Sequence, residues 1–481
     1  MIALSREKDL AENTAILTFG KMCTQCINFF LLPLYTTILD TTEYGTFDLL
    51  ITYGTLLLPI VNWQFDQGLF RFMLEKRGDR ETQSKLFSTV TVSSALQCLL
   101  YTAILLVVSP LLKINYAGFL LAYVILYVYM AILLQFARGL GKSTRYAIAS
   151  FISASSAVIL NVLALAVLKM GLKGLFIATL TSQAFTIIYL CFSNKIWTYF
   201  SIRSADYYTF KLLRNYSLPL IPNNLAWWVV NGSGRVVISH YIGVAANGIF
   251  AVASKFPSVF ISFYNVVNLS WTESLLLHFN DEDRDIFLSE MMTTIYKMFS
   301  SACFCVVAAM PFVFPIMVDE KYSSGYNQVL ILMYAMLFRV LVGMYSCIYI
   351  ATKQSRKIAY TSLAAAVISL IINLLMIPII GLYATSLSSL VAFSSMFIIR
   401  YLDVNKTVHM RINRTVAISS IIIGIIVALA FYCSNELVQM VALLIVIIYA
   451  VWINNDIIKK AFYLIKIQVK KLNQTDTNRR L

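Results

Sequence analysis

The chain has 481 residues, of which 59% are hydrophobic and only 13% are charged, and its formal net charge is +15. Soluble globular proteins have roughly 25% charged residues, so this composition, with a mean hydropathy of +0.76, excludes a soluble protein and predicts an integral membrane protein. Basic loops that set membrane topology and attract anionic lipid head groups account for the net charge, so nucleic acid is not predicted as a partner.

Fourteen apolar segments follow one another along the chain, each long enough for a membrane span. A hydrocarbon core about 30 Å thick needs about 20 helical residues per crossing. The first segment should be retained, because the start MIALSREKDLAEN carries both signs of charge and no cleavage site. The sequence therefore predicts an all-α integral membrane protein with about 14 transmembrane helices. The spans are placed at 13–38, 48–73, 86–110, 115–137, 146–169, 172–193, 216–241, 249–275, 291–317, 325–351, 358–379, 382–401, 414–433 and 437–455.

Lysine and arginine concentrate in alternate loops between these spans, as they do on the cytoplasmic side of membrane proteins. The opposite loops hold little more than Lys113, Lys169, Lys173 and Lys321. This alternation predicts that both termini are cytoplasmic. The basic loops include Lys76, Arg77, Arg80 and Lys85; Arg138, Lys142 and Arg145; Lys195, Arg203, Lys211 and Arg214; Lys353, Arg356 and Lys357; and Arg400, Lys406, Arg411 and Arg414.

Two long segments match each other a little over 200 residues apart, one beginning at Gly141 and the other at Lys353. Each has a basic loop, a span with an asparagine (Asn161 or Asn373), a glycine turn and another span. A weaker match pairs YGTFDLL at position 44 with NGIFAVA at position 247. A repeat of six spans, an even number, predicts two parallel six-helix lobes plus two C-terminal helices.

The predicted boundaries follow from this repeat. Residues 1–195 form the N-lobe, and residues 196–402 form the C-lobe, with a cytoplasmic inter-lobe linker at 194–215. Residues 403–481 hold the last two spans and a basic cytoplasmic tail.

Six basic residues lie inside the predicted spans: Lys21, Arg71, Arg235, Lys255, Lys297 and Arg339. A cation at the centre of a membrane helix costs about 2.5 to 3.5 kcal/mol, and such residues usually face a protein interior or a cavity. Arg71 and Lys297 are close enough to the inner face for snorkelling to remain an alternative. Lys21, Arg235 and Arg339 lie too deep for snorkelling and Lys255 is intermediate, nearer the outer face, so these four predict a polar cavity.

Helical spacing aligns polar residues with three of these cations. Span one carries Lys21, Gln25 and Asn28 on one face, and spans seven and eight carry similar stripes. Stripes of serine and asparagine alone are more often interhelical seams, but a deep cation in each favours a cavity that binds an anion. Prolines 219 and 222 and the Asn231-Gly-Ser-Gly234 run predict a broken seventh span. The residues assigned to the cavity are Lys21, Gln25, Asn28, Asn224, Asn231, Arg235, Lys255 and Arg339.

Three carboxylates, Asp48, Asp66 and Glu273, also lie within the spans. They are candidates for neutralising nearby cations or for taking up a coupling ion, H⁺ or Na⁺. For Asp66 the alternative is a simple pair with Arg71.

Covalent catalysis is not predicted. Cys23-x-x-Cys26 has no neighbouring ligands that would complete a metal site, and no nucleophile-and-base pattern or phosphate-binding loop stands out. The sequence thus predicts no catalytic residues, metal or cofactor, and a transporter rather than an enzyme.

Three stretches carry a family resemblance: FDQGLFRFMLEKRGD at the end of span two, SLPLIPNNLAWWVVNGSGRVVISHYIGVAANGIFAVASKFP across spans seven and eight, and ATKQSRKIAY before span eleven. They resemble the Wzx-type O-antigen and polysaccharide flippases, which are related to the lipid II flippase MurJ and the MATE exporters. Family members often have an acidic residue before the span-seven arginine. Here Gly234 stands in that place, so no local ion pair is expected for Arg235.

The resemblance implies a flippase for undecaprenyl-diphosphate-linked oligosaccharide, such as an O-antigen unit of lipopolysaccharide, in the bacterial inner membrane. It implies alternating access between the lobes, with Lys21, Arg235, Lys255 and Arg339 on the diphosphate. An H⁺ or Na⁺ gradient and association with the polysaccharide polymerase machinery are further implied partners.

Two other functions stay open at this point. A MATE-like drug exporter would need a carboxylate-rich cavity for cationic drugs. A membrane O-antigen polymerase or glycosyltransferase would need a large outer loop, and no predicted outer loop exceeds about a dozen residues.

Overall fold

The computed structural model describes residues 29–111 and 113–459. Regular secondary structure within these ranges is helical. Lys21, Gln25 and Asn28 lie outside them, as do Cys23 and Cys26, so the structure does not test those predictions. The helices are α1 (Leu32–Ile38), α2 (Thr41–Val61), α3 (Phe65–Glu75), α4 (Arg80–Leu111), α5 (Ala117–Gly139), α6 (Ser143–Val162), α7 (Gly171–Asn194), α8 (Tyr207–Ser217), α9 (Ile221–Tyr241), α10 (Val244–Ala253), α11 (Lys255–His278), α12 (Arg284–Met317), α13 (Tyr326–Ala351), α14 (Ser355–Ile380), α15 (Leu382–Val404), α16 (Arg414–Phe431) and α17 (Glu436–Ile453).

The number of candidate membrane spans is close to the sequence prediction. In the described part of the chain, eleven helices are long and apolar enough to cross a membrane, or twelve when α10 and α11 count as one span bent by 44°. Helix α9 has 21 residues but is too polar to enter that count, and α1 lies at the start of the described residues. Eleven or twelve spans in the described residues are roughly consistent with the predicted fourteen, and the all-α membrane fold is confirmed.

The second span is divided into two helices. Helix α2 begins earlier than predicted, at Thr41, because Asp40 caps it by accepting the Glu43 N–H at 2.7 Å. The chain then leaves the helix at Asn62, and Trp63 and Gln64 adopt left-handed φ angles of 49° and 58°. Helix α3 resumes at Phe65.

The seventh span differs from its prediction. Helix α9 runs without interruption through Gly232 and Gly234, and the break lies before it, in a 3₁₀ turn at Leu218–Leu220. The two glycines instead allow close packing, since each is buried. An added methyl group would meet Trp228 at Gly232 and Thr385 at Gly234.

For the description below, the N-lobe comprises α1–α7 and the C-lobe α9–α15. The two repeat asparagines occupy equivalent places in them. Asn161 on α6 donates to the hydroxyl of Tyr35 on α1 at 3.0 Å, and Asn373 on α14 donates to Ser233 on α9 at 3.5 Å. Each asparagine joins the fifth span of its lobe to the first.

The segment predicted as the inter-lobe linker lies against the N-lobe. Ser84 and Ser88 on α4 both donate to the carbonyl of Tyr199, at 2.6 and 3.2 Å. Helix α8 follows, capped by Asp206, which accepts the Thr209 N–H at 3.0 Å. The domain boundaries themselves stay a prediction.

Arg400 is placed differently from its prediction as a loop residue. It lies on α15 and is fully buried. Its guanidinium donates to Thr361 at 3.0 Å, to the Val342 carbonyl at 3.2 Å and to the Ser346 hydroxyl. A hydropathy pattern cannot identify such a residue, because its neighbours α13 and α14 come from elsewhere in the chain.

Candidate functional site

The two lobes meet at one end of the bundle, which holds the loops with few basic residues and is called the charge-poor end. There α2 and α10 cross at Gly45 and Gly248, both fully or nearly fully buried. A methyl group at Gly45 would lie 2.8 Å from the Gly248 nitrogen, and one at Gly248 would lie 3.0 Å from the Gly45 nitrogen. Only glycine allows two backbones to approach this closely.

An ion pair between the lobes lies beside this crossing. Arg235 on α9 donates from Nη1 to Oδ1 of Asp48 on α2 at 3.0 Å. Asn247 on α10 donates to Oδ2 of the same carboxylate at 3.4 Å and to the Gly45 carbonyl at 3.0 Å. The C-lobe therefore supplies both donors, and the N-lobe supplies the acceptor.

The guanidinium of Arg235 has two further contacts. It donates to the hydroxyl of Ser254 at 3.1 Å and to that of Thr52 at 3.4 Å. Its Nε is buried with no acceptor. The Arg235 side chain keeps 22% of its surface exposed, whereas that of Asp48 keeps 9%, so the arginine retains access to a space that the aspartate lacks.

Additional hydrogen bonds close the same end. Tyr322 donates to the carbonyls of Leu39 and Asp40 at 3.2 and 2.8 Å. Lys321 donates to the Thr37 carbonyl at 3.1 Å. Nearer the middle of the bundle, the Trp228 indole donates to the Thr52 carbonyl at 3.0 Å.

Toward the other end, which holds the basic loops, the described residues of the two lobes form fewer hydrogen bonds with each other. Within residues 29–111 and 113–459, no hydrogen bond joins α3 to α9, α11 or any other C-lobe helix. The hydrogen bonds between the lobes in the described residues therefore lie at the charge-poor end and at mid-depth.

A second basic site lies inside the C-lobe, at mid-depth. Arg339 on α13 donates to Oδ1 of Asn231 on α9 at 3.1 Å. Its Cζ lies 5.5 Å from the centre of a Trp227 ring and 5.7 Å from that of Phe393 on α15. No carboxylate of the described residues lies within 4.0 Å of this guanidinium. An arginine that stacks on aromatic rings and has N–H groups free to donate is well suited to bind phosphate or carboxylate.

The two arginine sites are linked through α9. Asn231, which contacts Arg339, and Arg235 are four residues apart, so they lie on the same face about 6 Å apart along the axis. The sequence prediction assigned Asn231, Arg235 and Arg339 to one cavity, and that assignment stays a prediction. It did not identify Phe393 as part of the site.

The remaining predicted basic and polar residues are placed differently. Lys255 begins α11 directly after Ser254, and its Nζ lies 5.9 Å from the Tyr44 ring centre, so it borders the ion pair. Asn224 is exposed and donates only to the Leu220 carbonyl of its own helical turn, at 3.2 Å. It is not joined to the other site residues.

The three predicted carboxylates have three different environments. Asp48 belongs to the ion pair. Asp66 is buried and accepts amide hydrogens from Asn62 at 2.9 Å and Gln67 at 2.6 Å. It does not pair with Arg71, which instead contacts Glu75 at 2.9 Å. Glu273 is exposed on α11.

Sequence reasoning missed four of the contacts at the ion pair and the Arg339 site: Thr52, Asn247, Ser254 and Phe393. A signal did exist for Asn247. The weak match of YGTFDLL with NGIFAVA contains Gly45, Asp48, Asn247 and Gly248, and these are the residues that meet across the lobes.

Comparison with known proteins gives one family and several structures. Residues 10–271 match the family model described as "Polysaccharide biosynthesis protein", which is more than half of the chain. No curated protein matches the sequence significantly.

Among solved structures, the lipid II flippase MurJ in an inward closed conformation is similar with a TM-score of 0.68 at 14% identity, over 92% of this chain and 99% of MurJ. An inward-facing multidrug resistance MATE family transporter of the MOP superfamily has a TM-score of 0.65 at 14% identity, over 82% of this chain and 98% of its own. An outward-facing MATE structure scores 0.55 at 14% identity, over 81% and 94% of the two chains. At these identities the likeness concerns the fold alone.

Proposed function

The chain belongs to the family of polysaccharide biosynthesis proteins, and on that premise we propose that it is a flippase for undecaprenyl-diphosphate-linked oligosaccharide. The cargo would be an O-antigen or related repeat unit, moved across the bacterial inner membrane by alternating access between the lobes. Such transport requires no covalent chemistry. The chain shares its fold with the flippase MurJ and a MATE transporter.

The observation that carries this proposal is the Arg339 site. A guanidinium in the middle of a membrane bundle is costly unless it has a counter-charge or water. Arg339 is held by Asn231 and by two aromatic rings, which fix its position without neutralising it. A diphosphate would supply the missing negative charge through charge-assisted hydrogen bonds, and the rings could contact a sugar.

The predicted assignment of Lys21, Arg235, Lys255 and Arg339 to the diphosphate needs one revision in this proposal. Arg235 is already neutralised by Asp48, so Arg339 is the first binding position for the cargo anion. Lys255 lies next to the ion pair, and we propose that it adds positive potential there. Lys21, Gln25 and Asn28 keep their proposed role on the N-lobe side of the cavity, and Asn224 is proposed only for the cavity rim.

The orientation follows from the basic loops. We assign the charge-poor end to the outside and both termini to the cytoplasm, by the positive-inside rule. The lobes would then be closed outside and would admit the diphosphate from the inner leaflet.

For ion coupling we propose Asp66 as the first candidate. It is a buried carboxylate without a cation within 4.0 Å among the described residues, and such a group favours uptake of H⁺ or Na⁺. Asp48 is occupied by Arg235, and Glu273 is exposed. Association with the polysaccharide polymerase machinery remains a proposal from the family resemblance.

A MATE-like drug exporter is the alternative on the same fold. Its cargo would be cationic, whereas Arg339, in the middle of the C-lobe, has no carboxylate within 4.0 Å among the described residues. An anionic cargo fits this site better, since a cation would be repelled from it.

The test is transport in proteoliposomes that contain a fluorescent undecaprenyl-diphosphate oligosaccharide, read by quenching from one side. The wild type should equilibrate the lipid between leaflets, and Arg339→Ala should lose most of this activity. The control is Arg138→Ala. Arg138 also lies over an aromatic ring, 4.2 Å from that of Phe70, but in the other lobe. Equal activity of wild type, Arg339→Ala and protein-free vesicles would contradict the proposal.

A further inference from the structure

The Arg235–Asp48 pair offers more than a structural contact, because its partners lie on lobes that must separate in any transport cycle. Arg235, Asn247 and Ser254 belong to the C-lobe, whereas Asp48 and Thr52 belong to the N-lobe. Opening the charge-poor end would take Asp48 away from a guanidinium whose Nε already lacks an acceptor. Breaking a buried pair by removing one charge is strongly unfavourable.

The donors around Asp48 are also those that would bind a phosphate group. They are a guanidinium at 3.0 Å, with an amide at 3.4 Å on the other carboxylate oxygen. A guanidinium and an amide N–H can both donate to a phosphate oxygen as well as to a carboxylate oxygen, and the guanidinium is attracted more strongly by the more highly charged anion.

The path to Arg235 begins at the Arg339 site. Asn231 contacts Arg339, and Arg235 follows one helical turn later on α9, about 6 Å toward the charge-poor end. The partial exposure of the Arg235 side chain, 22% against 9% for Asp48, leaves one side of the guanidinium approachable while the carboxylate stays covered.

From these contacts we infer that Asp48 is a built-in substitute for the cargo anion: it occupies Arg235 and holds the charge-poor end closed until a diphosphate, moving one turn outward from Arg339, takes its place. The exchange involves no covalent change. It makes opening of this end depend on cargo, so that an empty transporter stays closed. The inference rests on the proposed function, since it uses the same diphosphate.

The experiment measures the distance between spin labels at the charge-poor end, in nanodiscs. The labels are attached at Leu168 and Ile379 in a variant without the native cysteines. Both residues are exposed, and they lie just before the α6–α7 turn of the N-lobe and the α14–α15 turn of the C-lobe. Wild type should show mainly the short distance, and addition of undecaprenyl diphosphate should increase the population with the long distance. Asp48→Asn should open this end without the lipid and raise the ratio of long to short distances about tenfold.

Two variants control for non-specific effects. Asp403→Asn removes a carboxylate that pairs with Lys357 at 2.8 Å inside a single lobe, and it should behave as wild type. The double variant Asp48→Arg with Arg235→Asp keeps an ion pair with its charges exchanged. It should restore the short distance and lose the response to the lipid.

Binding of radiolabelled undecaprenyl diphosphate is measured in parallel, so that the two proposals can fail separately. If the lipid binds but leaves the distances unchanged, or if Asp48→Asn stays closed, the proposal that Asp48 takes the place of the cargo anion is wrong. The proposed function is then unaffected. If the lipid does not bind at all, both proposals are wrong.

Discussion

Gly45 of the N-lobe and Gly248 of the C-lobe pack backbone against backbone, and they occupy equivalent positions in the two sequence repeats. The contact is reciprocal. A methyl group at Gly45 would overlap the carbonyl oxygen of Val244, four residues before Gly248, and one at Gly248 would overlap that of Thr41, four residues before Gly45. If the lobes are the predicted repeats, this contact lies near their approximate two-fold axis, at the charge-poor end.

Gly45→Ala and Gly248→Ala should each weaken this closure. The added methyl group meets backbone atoms that cannot rotate away, and overpacking of this kind costs about 1 to 3 kcal/mol. We expect a larger distance between the labels at Leu168 and Ile379, without any ligand.

Gly118→Ala is the matched control, because nothing lies within 4 Å of a methyl group at that helical glycine. Unchanged label distances in both Gly45→Ala and Gly248→Ala would show that the crossing does not hold the lobes together.

The part of this arrangement that could be predicted from the sequence is the part set by local properties. Span length and loop charge depend on neighbouring residues, and both indicated fourteen spans. Position along a span is also a local property, and it was the basis for predicting that Arg235 and Arg339 face a cavity.

What could not be predicted depends on how helices pack. Asp48 and Arg235 are 187 residues apart in sequence. They face each other because α2 is held in one rotation relative to α9 by the Gly45–Gly248 crossing, and the sequence does not show that rotation. Phe393 is an apolar residue in an apolar helix, so it gives no signal. Arg400 looked like a loop cation because its acceptors on α13 and α14 lie far from it in sequence.

The coupling between Asp48 and Arg235 can be measured by a double-mutant cycle. Asp48→Ala should destabilise the protein strongly, because it leaves the Arg235 guanidinium buried without a counter-charge. Arg235→Ala in the Asp48→Ala background should then cost less than Arg235→Ala alone, with an interaction free energy of about 0.5 to 3 kcal/mol. Thermal unfolding in detergent provides the measurement, and additive effects would mean that the pair contributes no net coupling.

Arg400 should affect folding and not cargo binding. Its five hydrogen bonds go to neutral acceptors on α14 and α13. Arg400→Met leaves these acceptors unsatisfied, at a cost of about 1 to 3 kcal/mol for each buried group that finds no other partner. We expect less protein in the membrane and a lower unfolding temperature, but normal lipid binding per folded molecule. Reduced binding at normal protein level would assign Arg400 to the site.

Arg339 should not be replaceable by lysine. A lysine keeps the positive charge, but it loses the planar fork that binds two phosphate oxygens and the stacking on Trp227 and Phe393. We expect Arg339→Lys to bind undecaprenyl diphosphate about tenfold more weakly than wild type, which corresponds to about 1.4 kcal/mol, and Arg339→Ala to bind more weakly still. Asn231→Ala should fall between wild type and Arg339→Lys, because it frees the guanidinium without removing it.

The matched control is Arg284→Lys, since Arg284 also lies near a phenylalanine ring, at 5.3 Å, but pairs with Asp285 near a loop. Lipid binding by Arg339→Lys equal to that of wild type would mean that charge alone attracts the cargo and that the aromatic rings have no part in positioning the diphosphate.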